Sequence, residues 1–536
     1  MPYHAQKRRA KTAVEEHGRL YAKALWFIRS VVMKRNNLTT SVVAGLAAFA
    51  GIASTANAVE LNPDGTGQVL VYPYYTVNKN QQTIVSVVNT TNIAKAVKVR
   101  FLEGHNSREV LDFNLFLSEF DVWTASVFAL SDAGLAGDGA AVTTTDKSCT
   151  APNKDAWTGS LGTGRPYQEF LPFAYTGVNE DTGPTDISRT REGHIELISM
   201  ADLVNPGTFR TAVTHTAAGT PANCAVVQAI DPLNTQLLAP TGGLFGAGGV
   251  VNVAQGTFYT YNADAIDGFT IIPLFSDTSS LTPSLAQANT GLGIATAYVF
   301  GSAGQLIQSD YDTTGTPSAA IDAVSAVFMS SNLFNEYNVD ASVGSNTDWV
   351  VTFPTKRFYV DNQILGVALG DPGAIQPFRF TFGEDAAGNG EGLSCTQIEV
   401  AQYDREEGRP VGPAPGFSPP PPGQPASSLC KETNVISFLN VSTAPTESGV
   451  LGSKLVTNVK PFAAAGWMRL GMNPAAQPHF SRASIDGDVF AGLPATGFEA
   501  VNYINANVAP GVLSNYSGLF RHRASRACTN GTAACS

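Results

Sequence analysis

Charge is scarce in this chain: Asp, Glu, Lys and Arg together make 14% of 536 residues, and the balance is acidic, with a formal net charge of −11. The first 58 residues hold 9 basic and 2 acidic groups, so removing them from the totals of 33 and 44 leaves 24 and 42, a net charge of −18 for residues 59–536. A surface so poor in Lys and Arg argues against nucleic acid and against anionic lipid, both of which are held through clustered basic side chains. Low charge does not here mean disorder, because 43% of residues are hydrophobic and can bury large cores. Catalytic signatures are missing as well. His105, His194, His215, His479 and His522 form no HxH or HExxH spacing, no GxSxG elbow occurs, and Gly159, Gly162 and Gly164 lack the Lys-Ser/Thr and helix of a phosphate loop. No internal repeat of solenoid or propeller period is visible.

Cysteine is also sparse, at six, all beyond residue 58 and with no CxxC pair. An even number in an oxidising compartment reads as a disulfide framework, and proximity in the chain pairs Cys149 with Cys224, Cys395 with Cys430 and Cys528 with Cys535.

What is present begins with an export signal. Residues 33–58 run from the positive start Lys34-Arg35 through an apolar middle at 38–52 to the small-residue site Ala56-Asn57-Ala58. That middle, broken by Gly45 and Gly51, is too short to stay as a membrane span. The mature chain is therefore expected to begin at Val59, with residues 1–32 a non-native or removed extension and Met33 the initiator. Disulfides, acidity and the signal together place the protein outside the cytoplasm: at the cell surface or in the medium, alternatively in the periplasm.

The rest of the sequence reads as strands. Residues 68–91 give VLVYPYYTV, a polar turn and TIVSVVNTT, rich in β-branched and aromatic residues. In residues 96–102, Val97, Val99 and Phe101 alternate with Lys98 and Arg100, the pattern of a half-buried strand. Strands are also expected at 110–117, 121–127, 193–200, 250–253, 257–261, 295–300, 349–353, 357–360 and 378–382. In 193–200 either Ile195, Leu197 and Ser199 or His194, Ile198 and Met200 face inward. The fold class is all-β, mainly antiparallel: β-sandwich domains with long disulfide-pinned loops and one or two short helices. Residues 59–130 form a first β-sandwich domain or its first part, 131–190 a loop-rich insertion, and 191–536 a second β-rich region. That region holds a helix near 319–334, where apolar residues recur at three and four, and a Pro-rich loop at 409–426.

Candidate sites are few. Asp385, Asn389 and Glu391 in one oxygen-rich loop, and Asp486 and Asp488 in another, are weak calcium candidates without the full EF-hand spacing. The adjacent Glu406 and Glu407 would point to opposite faces of a strand and read as a solvated turn. Leu493-Pro494-Ala495-Thr496-Gly497 spells a wall-sorting motif but lacks the hydrophobic tail and basic end that sorting needs, and reads as a loop between strands. No terminal aromatic residue or dominant set of amphipathic strands marks an outer-membrane barrel.

Asn89-Thr90-Thr91, Val99-Arg100-Phe101-Leu102-Glu103-Gly104, Asp121-Val122-Trp123-Thr124 and residues 347–356 (TDWVVTFPTK) resemble a group of uncharacterised exported β-rich proteins of Gram-negative bacteria. The resemblance implies export and carries no catalytic residue over. The function expected is a structural or adhesive, non-catalytic role in the envelope or at the cell surface, with an envelope or extracellular polymer or protein as partner and no cofactor. The alternatives are a carbohydrate- or peptide-binding module, with Trp157 or Tyr167 exposed for stacking, and a secreted hydrolase of unrecognised design.

Overall fold

The computed structural model describes residues 57–535 apart from 163, 292, 316, 369–372, 384–391, 411–426 and 442–444, with backbone alone at 506 and 507. The expected extension and all of the export signal before Asn57 lie outside the described residues, as do most of the Pro-rich loop and the calcium candidates Asp385, Asn389 and Glu391.

The molecule is all-β and mainly antiparallel. Alternating and continuous runs of Val, Tyr, Phe and Thr form two large sheets, of eight and seven strands. The first is built around strand Val69–Thr76, flanked on one side by Asp264–Asp267 and on the other by Glu192–Leu203, Lys95–Glu103 and Glu109–Leu117. The second is centred on Gln82–Asn89, between Leu244–Asn252 and Val122–Ala129. Their facing side chains make a sandwich core that includes Tyr72, Val85, Val97, Phe101, Trp123 and Leu197. Pro73 sits mid-strand without an N–H to give, and its own strand bulges there: Pro73 and Tyr74 together stand opposite His194, between the pairs Gly193–Tyr75 and Ile195–Tyr72.

Residues 59–130 supply the first part of a sandwich and not the whole of it. Strands from 192–203 and 244–267 complete both sheets, so the sandwich is not closed by residues 59–130. A five-stranded sheet around Ser345–Thr352 and Thr496–Tyr503 then adds Val350, Val435, Phe498 and Ala500 to that core, and turns Trp349, Val351 and Ile436 into a second one. Phe498 stacks on Tyr261 at 5.1 Å, and Thr352 Oγ1 donates to the Pro73 carbonyl at 2.6 Å. Two halves that share side chains in this way form one compact unit from Asn57 onward. The stretch 131–190 is likewise more than loop: Ala140–Thr143, Cys149–Ala151 and Pro166–Glu169 extend the two sheets.

Burial corrects the half-buried strand too. Lys98 and Arg100, expected in water, are as buried as Val97 and Val99, because Asp112, Glu109 and Glu196 neutralise them from neighbouring strands. Both alternatives for 193–200 hold at once, with Ile195 and Leu197 in the sandwich core and Ile198 and Met200 in the cores behind it.

The helix is shorter than its periodicity suggests. It spans Ala320–Phe328, wholly buried, after which Met329–Ser330 pairs with Leu493–Pro494 and Asn332–Asn338 becomes a strand. Leu333 and Tyr337 point inward there, so an alternation of two, hidden under the helical period, wins once a partner strand is available. Residues 357–360 are a helical turn, not a strand, because Pro354 opens the turn and the Asp361 side chain caps the following one at Gln363 N–H, 2.9 Å, before Gly366 ends it at φ +67°. Phe378 and Phe382 have no ladder partner; they are apolar plugs, Phe378 packing on Phe353 and Tyr359. The three disulfides join the cysteines paired by proximity. Among the described residues no helix is long and apolar enough to cross a membrane.

Candidate functional site

A cavity of about 640 Å³ forms a groove where the sandwich meets the helical turns at 357–365. Strand Glu109–Leu117 supplies Leu111 and Phe113, the segment after Cys149 supplies Trp157, and the turns supply Phe358 and Ile364. Trp157 is buried and packs on Phe113 at 5.7 Å, so it is a wall of the groove and not the exposed platform expected. Tyr167 is buried too, against Phe128. The rim is apolar and open: Phe173 is 68% and Leu281 66% exposed.

Charges line the floor in matched sets. Arg100 reaches Glu109 at 2.5 Å and Glu196 at 2.7 Å, Arg108 reaches Asp361 at 2.8 Å, and Arg357 reaches the same carboxylate at 3.2 Å. Behind them Arg189 bridges Glu103 at 2.7 Å and Asp181 at 2.6 Å, with its guanidinium 4.4 Å above the Tyr175 ring. Arg189 in turn holds the Glu103 carboxyl below the usual range despite full burial. Glu103 also accepts N–H groups from His105, Asn106 and Arg108, tying the 104–107 turn to the network. Asp112 is the exception, since burial and then Glu109 push its pKa up to about 6 against the opposing pull of Lys98.

Among the described residues Ser118, His215 and Asp121 come together, but their geometry is not that of a triad. Ser118 Oγ lies 3.1 Å from His215 Nδ1, but Asp121 approaches that same nitrogen at 3.8 Å, leaving the far ring nitrogen unoriented. Asp404 fixes the Glu406 turn by accepting from its N–H, and Glu406 and Glu407 are exposed, as a solvated turn requires. Asp486 and Asp488 do not converge: Asp486 is exposed, while Asp488 is buried and accepts from Ser309 at 2.8 Å and Asn530 at 2.9 Å. The sulfurs nearest Asp488 belong to the Cys528–Cys535 disulfide and are not thiolate ligands. The sorting-like motif is corrected from loop to strand, with Leu493 buried and Thr496–Tyr503 paired between Ser345–Thr352 and Tyr516–Arg521 in the five-stranded sheet. The glycines 159–164 form a hairpin turn, Gly159–Ser160 pairing with Pro166 and Tyr167.

A second, smaller pocket of about 290 Å³ was not foreseen from the sequence. Phe334, Trp467 and Phe520 line it together with Glu336, Glu499 and Arg523, residues up to 189 positions apart in the chain. Comparison with family models, curated proteins and solved structures gave no match to this chain. The class defined here is therefore structural: an all-β, disulfide-stapled protein with an apolar groove over a buried ionic floor.

Proposed function

We propose that the chain is an exported envelope or cell-surface protein with a structural or adhesive, non-catalytic role, and that the groove beside Trp157 grips a segment of its polymer or protein partner. The observation that carries this reading is the groove itself, whose walls and rim are apolar while its arginines are already paired. Such a surface supplies contact area and shape, with fixed charges spent on holding the walls in place. Three disulfides and a compact unit starting at Asn57, beside the expected cleavage site, support export.

Protease shaving of intact cells, with mass spectrometry of released peptides, tests the location: surface release is expected, and recovery from the periplasm alone would overturn it in favour of a periplasmic binding module. The double change Phe173→Glu, Leu281→Glu places charge on an exposed rim where folding does not depend on it. It is expected to abolish adhesion of expressing cells at unchanged surface abundance, and undiminished adhesion would remove the groove from the function.

A further inference from the structure

The small pocket lies on the outward face of a four-stranded sheet in which Glu399–Asp404, Ala465–Gly471 and Asn332–Asn338 run side by side. Tyr403 and Glu336 stand directly opposite Trp467 on its two neighbours, and directly opposed residues share a face. Val400, Met468 and Leu470 fill the other face and lie in the core. Tyr403 stacks on Trp467 at 4.2 Å and 8°, and Arg409 caps Tyr403 at 4.7 Å, so one face of the indole is taken and the ring is held upright. Phe334 leans toward it at 6.4 Å, and Phe520, 55% exposed, closes the mouth.

Into this aromatic box project two carboxylates. Glu499, from the neighbouring five-stranded sheet, is 3% exposed. Glu336 is exposed at the rim. Among the described residues neither is in an ion pair, and Arg523 turns its guanidinium to the Arg521 carbonyl at 3.1 Å. A buried carboxylate beside a like charge, with no cation to answer it, is costly in a finished fold.

We propose that this pocket binds an alkylammonium group, a quaternary ammonium or a lysine side chain, held against Trp467 and Phe520 with Glu336 and Glu499 as its counter-charges. Ring faces attract cations that shed water easily, and carboxylates beside them add the full charge. A hard metal ion would need six or more oxygens, which two carboxylates among aromatic rings do not supply. A neutral sugar would stack on the rings and donate hydroxyls to the carboxylates, but it brings no positive charge to offset theirs. The volume, just below the usual range for a whole small ligand, suits one headgroup.

The electrostatics of the empty pocket agree. Burial, and then Glu336, push the Glu499 pKa up to about 8, so at neutral pH it is mostly protonated. The other charged or titratable groups around the pocket are Arg523, Arg521, Arg409 and Tyr403 beside Trp467, Arg469 opposite Phe334 and paired with Glu399, and His522; burial pushes His522 down to about 4, so it stays neutral. A bound cation favours ionised Glu499 and expels its proton.

The test is calorimetric titration of the mature protein with choline chloride, with tetramethylammonium and N-acetyl-lysine amide as further arms and sodium chloride and glucose as controls. Saturable choline or lysine-amide binding with a roughly millimolar Kd is expected. It should be about tenfold tighter near pH 9 than near pH 7, since ionisation of Glu499 rises from about a tenth to about nine tenths over that span. Glu499→Gln should erase that pH difference, and Trp467→Ala should abolish binding. Glu336→Gln, at an exposed position, should weaken binding and lower the pH at which it strengthens, which keeps the test decisive if the other two variants fail to fold. No saturable binding of any ammonium probe at the higher pH, indifference of binding to Glu336→Gln, or binding of glucose instead would overturn the proposal.

Discussion

The groove beside Trp157 and the pocket beside Trp467 are both aromatic and both charged, but they treat charge in opposite ways. At the groove, Arg100, Arg108 and Arg357 each meet a carboxylate within 3.2 Å, and Arg189 meets two. At the pocket, Glu336 and Glu499 meet one another. Paired charges buried under a surface set its shape and make the fold depend on them; a buried carboxyl with no cation beside it keeps its proton near neutral pH and becomes a charge when a cation arrives. The contrast assigns stability to the first region and electrostatic recognition to the second.

Breaking the pairs should therefore have the largest effect. Arg189→Ala strands Glu103 and Asp181 in a site from which all three side chains exclude water, and a loss of about 5 kcal/mol is expected in urea unfolding, the upper end for a broken buried pair. Arg523→Ala, at the exposed pocket wall, should change the same midpoint by less than about 0.5 kcal/mol. Equal losses at the two positions would end the distinction. Next in size are the staples beside each region. Removing Cys149–Cys224, whose sequence separation is 75, should cost about 4 kcal/mol, and removing Cys528–Cys535, separated by 7, about 2 kcal/mol, both read from denaturation of the paired Ser variants. A reversed order would show that strain in the native state, and not loop entropy, governs them.

Much of the scaffold is legible in the residues themselves. Val97, Val99 and Phe101 announce a strand by alternation, and the cysteines pair as their proximity suggests, because nearest neighbours close the shortest loops. Where the reading failed, distant residues had changed the local rule. Lys98 and Arg100 signal a wet face until Asp112 and Glu196, from other strands, neutralise them. Leu333 fits a helical stripe until Leu470 of a strand far along the chain pairs with it. The sites were the least legible part. Trp157 stood out alone, but its groove also needs Phe358 and Ile364, some 200 residues away, and Glu499 joins Glu336 only through the meeting of two sheets. No local pattern encodes such a meeting.

The smallest expected effect is the sharpest separator of the two regions. Both contain a carboxyl raised by burial and a like neighbour: Asp112 at the groove, to about 6, and Glu499 at the pocket, to about 8. A raised acid holds a proton in the folded chain that the unfolded chain has released, so each favours folding at low pH and loses that contribution as pH rises from the unfolded value through the folded one. The windows differ: Asp112 acts between about pH 4 and 6, and Glu499 alone of the two between about 6 and 8. Glu499→Gln should flatten the fall in unfolding free energy across the upper window by about 2 kcal/mol, and Asp112→Asn should flatten the lower one by a similar amount, about 2 kcal/mol. Glu432, also raised by burial, contributes to every curve and cancels in the differences from the native chain. Choline should then act on the native protein in the upper window only, raising stability increasingly as Glu499 ionises. A choline effect in the lower window, or one that survives Glu499→Gln with its pH dependence intact, would mean that the unpaired charge at the pocket is not what the cation answers.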